Sequence, residues 1–368
     1  MMRLCYIADL SSVHIQRWIR FFIERGHDVS VITDVSATVP GAKVYNIGAC
    51  LPPFHLPGVS AVYQILAKVS AIRRLLRRIQ PDLVHGHYAT NYGFLAALSG
   101  FQPLVQTVHG SDILVDAVGS REKRWFVRHA LKRATHITAP AEHMTRRLDE
   151  MGIPRERILI LQYGVDTTHF APSDDSVVRQ AYRVVSTRMF DWKYNVDQLV
   201  HAAAALSSRY PDVEIVLAGD GPDRDALQEL AHTLKVEAVV RFVGRVLPES
   251  MPTLLQSATV YVSTSVTDGS SLSLLEAMAC GAFPVVTDIP ANREWITDGE
   301  NGFLVPVGDV EALADRIAQG LTDDALRTAA IWRNAERIRE RGDYRINMVE
   351  IEHLYEQIVS SRSHTSHQ

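Results

Sequence analysis

Along almost the whole chain, short apolar runs alternate with longer amphipathic stretches. That order marks strand–helix–strand units, because parallel neighbours in a sheet can be joined only by a crossover long enough to bring the chain back to the same edge. The runs RLCYIA (3–8), VSVIT (29–33), KVYNI (43–47), DLVHGH (82–87), LVQTVH (104–109), HITAP (136–140) and RILIL (157–161) predict the strands of one parallel sheet. YRVVST (182–187), VEIVLAG (213–219), VVRFVG (239–244), TVYVST (259–264), FPVVTD (283–288) and GFLVPV (302–307) predict a second. With 368 residues the chain also exceeds what one hydrophobic core ordinarily serves. The expected fold is α/β, with doubly wound parallel-sheet domains over 1–165 and 166–343. YGVDTTHFAPSDD (163–175), which carries the Gly, Pro and Asp of a linker, joins them, and 361–368 reads as a disordered tail.

Cysteine offers no covalent scaffold: Cys5, Cys50 and Cys280 are odd in number and widely spaced, as in a reducing compartment. The segment MMRLCYIADL enters the first strand without a secretory pattern. The longest run free of Asp, Glu, Lys and Arg, Leu83 to Ser111, is broken by Gly, Asn, Gln, Pro and His, so it is not a membrane span. A cytoplasmic location is expected. Net charge is -4, yet residues 1–170 carry +7 and the remainder -11. A basic first half suits an anionic partner such as a membrane surface or a phosphorylated acceptor. Nucleic acid is not expected, because the Arg-rich helices lack zinc-finger spacing and an aromatic RNA-binding signature. The basic residues gather on SAVYQILAKVSAIRRLLRRIQ (60–80). There Val62, Ile65, Leu66, Val69, Ile72, Leu76 and Ile79 recur at helical spacing and Arg73, Arg74, Arg77 and Arg78 lie on the other face, which reads as a helix covering the sheet with an Arg-rich outer face, as a surface leaning on anionic lipid, or as both. REKRWFVRHALKR (121–133) is a second basic stretch.

Ligands of doubly wound sheets bind beyond the carboxyl ends of the strands, where loops lead into helix N-termini. The polar residues of this chain fall in those loops: Asp9 to His14, His87, His109 to Asp112, Arg188 to Lys193, Gly219 to Asp223, Arg245, and Asp268 to Ser271. In DGSSLSLLE (268–276), Asp268 and Glu276 flank Gly269, Ser270, Ser271 and Leu272 at an apparent helix start. Two readings are open. Asp268, Ser270 and Ser271 suit the cap of a surface helix. Alternatively, the amides of Ser270, Ser271 and Leu272 hold a phosphate that Gly269 lets approach closely. Arg188 and Lys193, otherwise an ordinary surface pair, would then supply the charge that a departing diphosphate needs. Glu276, about 7.5 Å along the helix from Ser271, would reach ribose hydroxyls. On that reading the ligand is a nucleotide sugar, with Asp268 toward the transferred sugar. HGH (85–87) has one intervening residue and no third ligand nearby, so no metal site is predicted and no cofactor is expected.

The second half resembles the donor domain of the retaining glycosyltransferases of family 4, whose fold is GT-B. The likeness covers most of the chain and rests on TVHGSD (107–112), YGVD and F-x-P within 163–172, Arg188 with Lys193, GDGP (219–222), VRFVGRV (240–246) and the two acids Asp268 and Glu276 with seven residues between them. It implies two Rossmann-like domains facing each other across a cleft, with a helix at about 344–360 packing back on the first. By this resemblance Arg188 and Lys193 bind the diphosphate, Glu276 holds the ribose and Val246 contacts the base by its backbone. Gly219 and Arg245 belong to the same donor site. His109 lies against the donor sugar near its anomeric carbon, and Asp268 takes the place of the family's first glutamate. D-G-S-S also stands for the usual E-G-F-G, which removes an aromatic residue beside the sugar. On the acceptor side DLSSVHIQRW replaces the family's Gly-Gly loop and brings His14 and Arg17, to which His87 and Asp112 are added, Asp112 either contacting the acceptor or orienting its own loop.

The function so implied is transfer, with retention, from a nucleotide-sugar donor to a glycan, glycolipid or lipid-linked acceptor in cell-surface polysaccharide or glycoconjugate synthesis. A nucleotide-sugar epimerase or hydrolase of the same architecture is the alternative, followed by a non-catalytic nucleotide-sugar binding protein. The former would turn over donor without acceptor; the latter would bind without turnover. A nicotinamide dehydrogenase is disfavoured, since ADLSSVHIQ lacks G-x-G-x-x-G.

Overall fold

The computed structural model describes residues 1–48, 60–173 and 177–365. Strands form at each of the predicted apolar runs. β1 (Arg3–Ile7), β2 (Asp28–Thr33), β3 (Lys43–Asn46), β4 (Leu83–His87), β5 (Leu104–Thr107), β6 (His136–Ala139) and β7 (Ile158–Ile160) make one sheet, in the order β3-β2-β1-β4-β5-β6-β7. β8 (Arg183–Ser186), β9 (Glu214–Leu217), β10 (Val240–Phe242), β11 (Val260–Ser263), β12 (Phe283–Thr287) and β13 (Phe303–Val305) make the other, in the order β10-β9-β8-β11-β12-β13. All of these pairings are parallel. Helices cover both faces, which is why β4, β5, β11 and β12 are buried at every residue. Each sheet starts in its middle, winds outward one way, then resumes on the far side of its first strand. The order therefore reverses between β1 and β4 and again between β8 and β11.

The chain divides into two compact units, Met1–Tyr163 with Ile346–Gln368, and Gly164–Arg345. Gly164 and Val165 belong to the second unit because Val165 donates its amide to the Gly342 carbonyl at 2.7 Å and accepts from the Tyr344 amide at 2.9 Å. Gly164 has φ 75°, and a Cβ there would lie 2.6 Å from Tyr344 Cα, so the position requires glycine. The linker residues 174 and 175 lie outside the described residues.

The last helix, Tyr344–Thr365, returns to the first unit. Residues 361–365 continue it instead of forming the expected disordered tail, and 366–368 lie outside the described residues. Tyr355 is fully buried, stacked on Phe22 at 5.0 Å between centroids, with its hydroxyl against His85 Nδ1. The helix Ser60–Ile79 departs from its sequence reading at one end. Val69, Ile72 and Leu76 are buried as the spacing requires, but Val62 and Leu66 are 64% and 62% exposed, so the apolar stripe runs on past the part that covers the core. Among the described residues no helix is long and apolar enough to cross a membrane.

Glu352 fixes the returning helix with a nearly buried carboxylate, 2.8 Å from Arg25 Nη2 and 2.7 Å from His27 Nε2. Burial works against its charge, but Arg25 and His27 outweigh it and hold the carboxyl below its ordinary value of 4.5. The resulting stability is therefore present above pH 4.5 and is lost as pH falls through the lower folded value. Glu352→Ala should cost about 2 kcal/mol at neutral pH, less than a fully buried pair because Arg25 is half in solvent. Urea unfolding at neutral and acid pH tests this: the gap between parent and variant should narrow in acid, and equal neutral midpoints would contradict it.

Candidate functional site

The strand-order reversal of the second sheet sets the loop after β8 beside the loop after β11. Arg188 leaves β8 with 8% of its surface exposed. Its Nη2 lies 2.5 Å from Asp268 Oδ2, and its Nη1 donates to Ser273 Oγ at 2.7 Å and Ser271 Oγ at 3.4 Å. The Tyr194 ring lies 4.2 Å from the guanidinium carbon, a cation–π distance. Behind Ser273, the fully buried Tyr261 donates its hydroxyl to Ser273 Oγ at 2.8 Å. Burial opposes the charge on Arg188, but Asp268, helped by Tyr261 and Tyr194, outweighs it and keeps the group protonated. Its Nε is buried with no hydrogen-bond partner. Asp268, expected toward a donor sugar, is thus turned to Arg188.

Lys193 is half-buried in the turn Trp192–Tyr194, which Asp191 caps by accepting the Lys193 amide at 3.3 Å. Two bonds tie this turn to the neighbouring loop: the Val266 amide to the Lys193 carbonyl and Thr264 Oγ1 to the Tyr194 carbonyl, both 2.9 Å. Gly219 has a structural reason to be glycine. A Cβ there would meet the Arg188 carbonyl oxygen at 2.2 Å, and at Gly221 the Phe190 carbonyl oxygen at the same distance. The GDGP loop is therefore pressed against the backbone that carries Arg188. After β10, Arg245 is exposed and Val246 half-buried.

The helix Leu272–Ala279 is not a capped surface helix. Leu274, Leu275, Ala277 and Met278 are fully buried, and Ser271, at the cap position, makes no side-chain cap bond but accepts from Arg188. Gly269 is buried, and Ser270, Leu272 and Glu276 are half-buried.

In the first sheet the reversal joins the loops after β1 and β4, and they line a pocket of about 270 Å³. Asp9 and Ser12 come from the first loop, His87, Tyr88 and Asn91 from the second, and His109 from beyond β5. His87 is 2% exposed, and its Nδ1 lies 3.3 Å from His109 Nε2; its own Nε2 is buried without a partner. Burial holds His87 well below its ordinary pKa and, with His14 adding to it, lowers His109 to about 3. Both rings are neutral at physiological pH. Tyr88 adopts φ 65°, a left-handed conformation uncommon for a bulky residue, and its hydroxyl donates to Asp116 Oδ2 at 3.0 Å.

Asp112, grouped above with acceptor contacts, is fully buried and points inward. It accepts the backbone amides of Ala89, His109, Gly110 and Ile113 at 2.9–3.1 Å, so it shapes the loop that carries His109. Burial pushes its carboxyl up to about 6 against the pull of those amides. His14 is exposed and Arg17 half-buried on the helix Val13–Glu24, and neither lines the pocket. Ser273, Tyr194, Tyr261, Tyr88 and Asn91 did not stand out in the sequence. Tyr88 lacks the Gly or Asn that usually marks positive φ, and Ser273 lies inside an apolar helical run. Among the described residues no group of three or more His, Cys, Asp or Glu is placed to hold a metal ion.

Two doubly wound sheets, each with a polar cluster at its reversal point, give the chain the GT-B fold. The family is also shown. The chain belongs to glycosyltransferase family 4: residues 176–338 match the model of the glycosyl transferases group 1, and residues 3–140 that of the glycosyl transferase 4-like domain. It is similar to the putative glycosyltransferase EpsD of Bacillus subtilis, 27% identical over 365 residues, covering 89% of this chain and 91% of that one. It is similar also to the phosphatidyl-myo-inositol mannosyltransferase of Mycolicibacterium smegmatis, 28% identical over 356 residues and covering 94% and 89%. Among solved structures, Anabaena Alr3699/HepE in complex with UDP and glucose superposes with a TM-score of 0.79 at 19% identity, covering 96% and 99%.

The packing at Gly219 can be tested. Gly219→Ala should destabilise the protein by about 1–3 kcal/mol, because its methyl meets backbone that cannot swing away. Gly119→Ala, where nothing lies within 4 Å, should be near neutral. Chemical denaturation of both variants measures this, and an unchanged midpoint for Gly219→Ala would contradict it.

Proposed function

We propose that the protein is a retaining, nucleotide-sugar-dependent glycosyltransferase acting on a glycan, glycolipid or lipid-linked acceptor in cell-surface glycoconjugate synthesis. The observation that carries the reading is the buried, fully protonated Arg188 at the β8–β11 reversal, with Lys193 on the adjoining turn and a helix N-terminus alongside. As the bond from the sugar to the diphosphate breaks, negative charge grows on the leaving oxygen, and preorganised cations in a water-poor setting stabilise that charge most. Arg188 and Lys193 take this role without a metal or other cofactor. Gly269 and the amides of Ser270, Ser271 and Leu272 receive the phosphates. Glu276 holds the ribose, Val246 and Arg245 lie toward the base, and Gly219 supports the Arg188 backbone. On the first domain the pocket of His87 and His109 receives the acceptor, with His14 and Arg17 flanking it. His109, being neutral, acts as a hydrogen-bonding group and not as a cation.

A fold neighbour solved in complex with UDP-glucose and a relative named phosphatidyl-myo-inositol mannosyltransferase support the donor and acceptor classes. The decisive experiment is a thermal-shift screen of UDP-, GDP- and ADP-sugars, followed by transfer assays with the stabilising donor in excess EDTA. Saturating donor at about 100 times its Kd should add ~2.7 kcal/mol of stability. The product should keep the donor's anomeric configuration by NMR, and Lys193→Ala should lower kcat more than it raises donor KM. An inverted product, turnover without acceptor, or activity lost in EDTA and restored by magnesium would each contradict the proposal.

A lipid-linked acceptor would be met at the inner face of a membrane. Arg74, Arg77 and Arg78 are exposed on the helix Ser60–Ile79, which also exposes Val62, Tyr63 and Leu66. Arg73 instead donates to the Leu98 and Ser99 carbonyls, at 2.7 and 3.1 Å, and serves the fold. Binding to anionic vesicles should fall with added salt and with Arg74, Arg77 and Arg78 replaced by Gln, since such attraction is screened within ~8 Å at physiological ionic strength. Equal cosedimentation with neutral and anionic vesicles would remove the membrane from the proposal.

A further inference from the structure

We infer that Ser273, Asp268 and Tyr194 are positioning residues that fix the Arg188 guanidinium for the donor's diphosphate, so that Asp268 acts through Arg188 and not on the transferred sugar. This rests on the nucleotide-sugar reading above and refines its site. A guanidinium carries five N–H donors in a rigid plane. Asp268 takes one from Nη2, while Ser273 and Ser271 receive Nη1. The Tyr194 ring lies over the plane itself. The Ser273 hydroxyl is in turn fixed by Tyr261, which is fully buried on β11. The loop carrying Asp268, the helix start carrying Ser271 and Ser273, and the turn carrying Tyr194 therefore all restrain the same flat group.

Such a restraint would be wasteful for a merely structural arginine, whose remaining donors would also be satisfied. Here the Nε–H is buried with no partner, and an unpaired buried donor on a charged group is costly. A phosphoryl oxygen of the donor would satisfy it. The position of Asp268 fits the same account, because its carboxylate oxygen already lies 2.5 Å from the arginine, with 14% of the side chain exposed. A carboxylate so committed sets the angle of Arg188 and moderates its charge until a diphosphate arrives.

The test separates diphosphate from sugar by titration calorimetry on the full chain. Three probes are used: the nucleotide sugar found by the thermal-shift screen, its nucleoside diphosphate and its nucleoside monophosphate. Ser273→Ala and Asp268→Asn should each weaken the nucleotide sugar and the diphosphate by the same factor, about tenfold for one lost hydrogen bond to a charged group, and leave the monophosphate within about twofold. Ser273→Thr, which keeps the hydroxyl, should bind like the parent. If Asp268→Asn weakens only the nucleotide sugar, the carboxylate reads the sugar and the inference is overturned. An equal loss for the monophosphate, or parent-like binding by Ser273→Ala, also overturns it. A parent that binds none of the three probes would instead sink the nucleotide-sugar reading.

Discussion

A doubly wound parallel sheet opens a crevice only where its strand order reverses, because there two adjacent loops lead to helices on opposite faces. Everything chemical in this chain follows from that constraint. β1 pairs with both β2 and β4, and β8 with both β9 and β11, so the reversal points are fixed by backbone register before any side chain is considered. Asp9 and His87 are neighbours for this reason, and so are Arg188 and Asp268, although 80 residues separate the latter pair in sequence.

The second reversal point shows what a buried charge requires. Taking a guanidinium out of water is penalised by several kcal/mol unless a partner and further hydrogen bonds offset the loss. Asp268, Ser273, Ser271 and the Tyr194 ring supply that compensation together. The backbone beneath is held as firmly. The closeness of Gly219 and Gly221 to the carbonyls of Arg188 and Phe190, with the Phe190 amide bonded to the Asp220 carbonyl at 3.1 Å, leaves the Arg188 loop little room to move. On the proposed reading, a site built this way would meet developing charge without rearranging, which is the condition under which electrostatic stabilisation acts on a transition state.

The fold was legible in the sequence to the level of two parallel sheets and the place of each strand along the chain, since each strand is a short apolar run and each crossover an amphipathic one. Arg188, Lys193 and the flanking acids were legible as residue types in the right loops. Their mutual arrangement was not. No spacing rule connects Arg188 to Ser273, because their contact is created by β8 and β11 pairing across the sheet. Of the two readings of Asp112, the four backbone amides that converge on its carboxylate fit the one in which it orients its loop, a convergence that no spacing in the sequence announces. Val62 and Leu66 share the apolar spacing of the buried Val69, Ile72 and Leu76 and are nonetheless exposed, because periodicity reports a stripe and not how far the core beneath it extends.

The charge of each half also proves a poor guide to its site. Residues 1–170 carry +7, but among the described residues no Lys or Arg lines the pocket at the first reversal point, whose imidazoles burial keeps neutral. The remainder carries -11, yet its reversal point is organised around a protonated arginine. Exposed charges more than about 8 Å from a site are largely screened at physiological salt, whereas buried ones are not. Net charge is instead a property of the surface, where Arg74, Arg77 and Arg78 are exposed. The reacting groups are governed by the few charges that the sheet buries, and in the second domain that number is set by how many partners the β8 and β11 loops can bring to one guanidinium.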